Sequence, residues 1–164
     1  EFAHNYIQTV GLWFSNFEFN AGLYNLIKKV AVNFNAKPWE LIKDYGKITP
    51  IIVIAAVALF TFVRNNKKVS TLLTSMLWVL TVYYFLSATV HPWYIIFLLV
   101  LCLFTEFRFP IVWSFSVILS YWAYSNEGFK ENYWLLAIEY IAVYGFMIYE
   151  ILRLYNKKLL FHKN

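Results

Sequence analysis

The chain has 164 residues, of which 61% are hydrophobic, 22% aromatic and only 14% charged, with a net charge of +5. Ordinary soluble domains hold about 45–50% apolar and about 25% charged residues. A chain this short cannot bury so much apolar surface within itself, so a soluble globular domain is excluded and lipid must cover part of the molecule. The basic residues cluster at the ends of apolar runs, where anionic headgroups sit, which argues against nucleic acid as a partner and for membrane lipids.

In chain order, residues 1–47 form a distinct segment, aromatic-rich but interrupted by polar residues, with five of the fourteen basic residues. From Asn20, an expected N-cap, the apolar positions Leu23, Leu26, Ile27, Val30 and Phe34 follow helical spacing, with Lys28 and Lys29 on the opposite face. Pro38 is expected to open a second short helix carrying Trp39, Ile42 and Tyr45, closed by Gly46. Both suit a membrane surface better than a crossing.

Apolar stretches able to cross follow: Ile48–Val63, Val69–Ser87, Trp93–Phe104, Ile111–Tyr124 and Tyr133–Tyr155, the last trailed by Lys157, Lys158 and Lys163. At about 1.5 Å per residue the third and fourth reach only about 18–21 Å, against a hydrocarbon core of about 30 Å. They are expected to be two short crossing helices, the alternative being a re-entrant hairpin that would leave Glu106 and Arg108 at costly mid-membrane depth. The expected fold is an all-α, polytopic transmembrane helical bundle of about five spans over residues 48–164. An external segment of short amphipathic helices, residues 1–47, precedes it. The sequence starts at Glu1 with no positively charged, apolar leader, and reads as the C-terminal part of something longer.

Basic residues set the expected orientation. Arg64, Lys67, Lys68, Arg108, Arg153, Lys157, Lys158 and Lys163 fall on one side of the spans, and among the short loops only Lys130 falls on the other. The first side is therefore expected to be cytoplasmic, with residues 1–47 and the His91 turn outside. The five lysines of the first segment run against this rule, partly balanced by Glu18, Glu40 and Asp44.

Neither a phosphate-cradling glycine loop, nor clustered metal ligands, nor a nucleophile elbow is present, so soluble-enzyme chemistry is not expected, nor is a metal or cofactor. Cys102, inside an apolar run, reads as a small core residue. Polar residues near the outer membrane edge remain. His91 precedes Pro92, which can start a helix, so an imidazole would lie beside a helix N-terminus that attracts phosphate. Trp93 and Tyr94 offer a sugar-sized flat surface, or serve as an aromatic belt. Glu18 and Asn20 could bind ligand hydroxyls, with capping the competing role for Asn20. Glu139 lies about 9 Å into the last span, where a carboxyl is either functional or held by a helix–helix hydrogen bond. Glu150 and Arg153, three residues apart, read as a structural pair.

Three pieces of this sequence together resemble the C-terminal half of bacterial GT-C membrane mannosyltransferases, the kind that use polyprenyl-phosphate mannose. They are the run Phe17-Glu18-Phe19-Asn20-Ala21-Gly22-Leu23-Tyr24, the turn His91-Pro92-Trp93-Tyr94, and Ile138-Glu139-Tyr140. The resemblance implies inverting transfer of a sugar from a polyprenyl-phosphate donor to a glycan or glycolipid acceptor, on the outer face of the bacterial cytoplasmic membrane. It places His91 near the donor phosphate and Glu18 and Asn20 along the substrate groove. It also implies an acidic base in an early external loop of the N-terminal half, which is not in this sequence. The competing classes are a non-catalytic membrane scaffold or lipid-binding subunit and, more remotely, a small transporter, for which glycine- or proline-broken spans with midplane ion ligands are lacking.

Overall fold

In a computed structural model of the chain, the described residues are 18–125 and 129–161, with side chains described as far as Lys157. Residues 1–17, Phe17 among them, residues 126–128 and Lys163, on which the orientation expected above partly rests, lie outside that set. The described chain is helical: α1 Gly22–Asn33, α2 Pro38–Phe62, α3 Val69–Leu86, a short 3₁₀ turn Pro92–Tyr94, α4 Ile95–Leu103, α5 Phe109–Ser116 continuing as a 3₁₀ helix Val117–Tyr124, and α6 Tyr133–Phe161. Three helices, α2, α3 and α6, are long and apolar enough to cross a membrane, and two shorter apolar ones cover Pro92–Leu103 and Phe109–Tyr124. The described residues are thus those of a helical membrane protein. Internal contacts divide it into two compact units, the described parts of Glu1–Lys67 with Trp78–His91, and of Lys68–Leu77 with Pro92–Asn164.

In the first unit, α1 begins one residue later than an Asn20 cap would require. Ala21 occupies the N-cap position without a side-chain bond, and Asn20 is fully buried with a left-handed φ of 51°. Asparagine tolerates that conformation better than other non-glycine residues, so Asn20 serves the bend before the helix rather than its first N–H groups. At the other end, left-handed Asn35 closes α1: its N–H donates to the Val32 carbonyl, and the Ala36 N–H to the Ala31 carbonyl. That is the pattern expected after a helix C-terminus.

The helix expected to close at Gly46 does not close. α2 runs unbroken from Pro38 through Gly46 and Pro50 to Phe62, about 37 Å by helical rise. A glycine in a helix costs about 1 kcal/mol, whereas ending the helix there would leave its last carbonyls and the next helix's first N–H groups without intrahelical partners. Continuity wins, and only the bond that Pro50 cannot donate is lost. None of the apolar window of α2 is buried, and Ile51, Ile54 and Phe62 are among its most exposed residues.

In the second unit, Phe109–Tyr124 packs along α6 and α4 packs on α5. The second half of Phe109–Tyr124 is 3₁₀. The hydroxyls of Ser114, Ser116, Ser120 and Ser125 all donate to the carbonyl three residues back, at 2.6–3.3 Å. Three residues per turn then stack Val117, Ser120 and Ala123 on one line, and Val117 and Ala123 are buried. The steeper rise matters for length. Eight α-helical and eight 3₁₀ residues reach about 28 Å, well beyond the sequence-based 18–21 Å.

Candidate functional site

The first unit assembles the Glu18 and His91 motifs on one backbone junction. Ser87 ends α3, its hydroxyl donating to the Thr89 carbonyl (2.7 Å) and accepting from the Thr89 N–H (3.1 Å). The turn so made presents residues 88–90 as an edge. Phe19 pairs there in parallel with Thr89: the Phe19 N–H donates to the Ala88 carbonyl (3.0 Å), and the Val90 N–H donates to the Phe19 carbonyl (2.8 Å). His91 then stacks on the Phe19 ring, centroids 5.0 Å apart at 29°.

Two motifs seventy residues apart are therefore neighbours, but their side chains part company. Successive side chains of extended backbone point to opposite faces. While Phe19 meets His91, Glu18 turns to α1. The Tyr24 hydroxyl donates to Glu18 Oε1 (2.7 Å), and the Lys28 ammonium pairs with Oε2. Burial above all, then the hydrogen bond to Glu18 and the charge of that carboxylate, hold the Tyr24 phenol far above its ordinary pKa. Tyr24 thus stays a donor at any physiological pH and fixes Glu18 in place. Ala21, Tyr24 and Ile42 form the small core beneath, with Leu41, Tyr45 and Ala88 packed on it.

His91 is half-buried, and that burial lowers its pKa below the ordinary histidine value. At neutral pH it is an uncharged imidazole, able to donate one hydrogen bond rather than to act as a fixed cation. An NMR titration of the imidazole should accordingly give a midpoint below ~6.5. Because the folded ring holds its proton less tightly than an unfolded one, the fold should lose stability as pH falls through the ordinary histidine range. The loss should level off below the depressed pKa. His91→Gln should remove that part of the pH dependence in thermal unfolding, and an unchanged slope would contradict it.

The second unit holds the remaining candidates. Trp93 is exposed and Tyr94 half-buried, their rings edge to face at 6.2 Å. Glu139 is fully buried, and Oε1 accepts a hydrogen bond from Trp113 Nε1 at 2.9 Å. This is the helix–helix bond weighed above as its structural role. Tyr140 packs edge-on to the same indole at 5.9 Å.

Sequence reasoning missed the other buried carboxylate. Glu150, expected to pair with Arg153, instead accepts the backbone N–H groups of Arg108 (2.9 and 2.8 Å) and Phe109 (2.8 Å) at the start of α5. The Arg108 guanidinium closes the end of α4, donating to the carbonyls of Cys102, Thr105 (2.6 Å) and Phe107 (3.0 Å). Each charge meets the helix end of opposite polarity. The one signal in the sequence was spacing: Glu139 and Glu150 are eleven residues apart, three helical turns, so both lie on one face of α6. Glu106, in the same turn as Arg108, sits exposed 3.8 Å from Lys157.

Among the described residues no three His, Cys, Asp or Glu side chains gather as a metal site. Compared with protein-family models, curated proteins and solved structures, the chain matches none.

Proposed function

We propose that this chain forms the donor-phosphate side of an integral-membrane glycosyltransferase. It moves a sugar, mannose by the resemblance, from a polyprenyl-phosphate donor to a glycan or glycolipid acceptor at the outer face of the bacterial cytoplasmic membrane. The acceptor hydroxyl attacks the anomeric carbon, the carbon–oxygen bond to phosphate breaks, and the phosphate departs with the electron pair. An acidic base takes the acceptor's proton, and the resemblance puts that base outside this sequence. We count five crossings, taking Pro92–Leu103 and Phe109–Tyr124 as the third and fourth. The ~28 Å reach of the latter supports this count.

The supporting observation is the placement of His91. It stands at the end of a helix able to cross, half-exposed, on a junction that ties it to the Glu18 segment. A neutral imidazole there can donate a hydrogen bond to the departing phosphate, whose charge grows in the transition state. One observation favours the scaffold reading instead: Glu18 and Glu139 both have structural partners. A polyprenyl phosphate carrying a photoreactive group beside the phosphate separates the two. On the enzyme reading it crosslinks to the peptide containing His91, and polyprenyl-phosphate mannose competes while the uncharged polyprenol does not. Labelling that ignores the phosphate would leave the scaffold.

A further inference from the structure

Helix α1 is inside out by the standard of a soluble protein. Its protein-facing side carries Tyr24 and Asn25, both buried, and Lys28 turned to Glu18. Leu23, Leu26, Ile27, Val30 and Phe34 line the opposite side, and Leu26 is 61%, Val30 51% and Phe34 81% exposed. No water-facing helix gains from that arrangement, since its apolar face would stay wet while its polar face is desolvated.

Depth supplies the occupant. α1 packs on α2 at Ile42, and the uninterrupted apolar, exposed run of α2 begins at Ile48, six residues further on. Six residues are about 9 Å of rise, and helices that lie on a bilayer bury their apolar faces about 5–10 Å into the headgroup–acyl boundary. A helix packed at that height on α2 can bring its exposed apolar face to that boundary. Lys29 and Lys43 are also exposed, and a cationic side chain is favoured at headgroup level.

We propose that the Leu26–Val30–Phe34 face of α1 lies in the bilayer itself, at the headgroup–acyl boundary of the leaflet that α2 enters, so that lipid covers it. The helix then serves as a shelf whose upper side carries the Glu18–Tyr24–Lys28 cluster. This assignment needs α2 to cross the membrane and stands independently of sugar transfer.

Single cysteines at Val30, Glu40 and Ile54, in the full chain with Cys102→Ala and reconstituted in lipid nanodiscs, can each carry an environment-sensitive nitrobenzoxadiazole label. The Val30 label should emit to the blue of the Glu40 label and lose emission to lipids bearing a doxyl group near the headgroup. Aqueous iodide should quench only the Glu40 label, and deep doxyl lipids the Ile54 label. Water-like emission with iodide quenching at Val30 overturns the proposal. Blue emission at Val30 without quenching by doxyl lipid overturns it too, because protein, a second copy or another segment of this chain, would then cover the face. If Ile54 alone fails to report lipid, the crossing of α2 is what is wrong.

Discussion

Glu150→Ala is expected to be the most destabilising single substitution in the second unit. The carboxylate is 1% exposed and accepts two backbone N–H groups that have no partner within their own helix turn. Removing it strips both donors of their acceptor, at about 1–3 kcal/mol for the buried Phe109 N–H and less for the part-buried Arg108 N–H. The favourable pairing of a negative charge with a helix N-terminus is lost as well. Glu150→Gln keeps a carbonyl oxygen in the same place and should cost much less. Arg153→Ala should cost under ~1 kcal/mol, as substitutions at exposed positions usually do. Thermal unfolding in detergent, followed through the accessibility of the buried Cys102 thiol, ranks the three variants. A large loss from Arg153→Ala with little from Glu150→Ala would restore the i,i+3 pair and dismiss the helix-capping role.

His91→Ala should have the largest effect on turnover wherever transfer is measured, with the segment that supplies the acidic base present. Loss of one hydrogen-bond donor to an oxygen that gains charge typically costs about 10²–10³ in rate, roughly 3–4 kcal/mol. A histidine that only anchors the interface should cost within ~0.5 kcal/mol. Stacking on Phe19 complicates a simple truncation, because removing the imidazole also strips a ring from the junction. His91→Phe keeps a ring in place and removes the donor, so a transfer role predicts that it fails as badly as His91→Ala. Trp93→Phe should stay near normal if Trp93 belongs to an aromatic belt. Near-normal turnover and donor affinity in both His91 variants would end the phosphate-site reading.

What the sequence disclosed, and what it hid, follows from the range of the interactions. Apolar length revealed α2, α3 and α6 because membrane crossing is a local property of composition. The faces of α1 were also legible, since Leu23, Leu26, Ile27, Val30 and Phe34 repeat at helical spacing. The closure at Gly46 was misread because a glycine within a helix costs only about 1 kcal/mol, less than the backbone bonds a break would forfeit. Asn20 has the chemistry of both a cap and a left-handed bend, and only the pairing of Phe19 with residues 88–90 decides between them. The partners of Glu18, Glu139 and Glu150 lie 6 to 42 residues away, where no local pattern points. The 3₁₀ run Val117–Tyr124 left no mark in the apolar pattern, since serine hydroxyls reach back three residues in the α-helical half as well.

The two buried carboxylates of α6 also bear on the order in which the chain can be built. A helix entering the bilayer with acidic residues in its apolar length is penalised for each of them, most of all at its centre. Glu139 accepts a hydrogen bond from Trp113, and Glu150 accepts from the N–H groups of Arg108 and Phe109, which offsets that penalty. All three donors precede α6 in the chain, so a ribosome delivers them first. The last helix to be synthesised therefore meets its acceptor surface already made, whereas a chain translated in the opposite order would expose two carboxylates to lipid before anything could receive them.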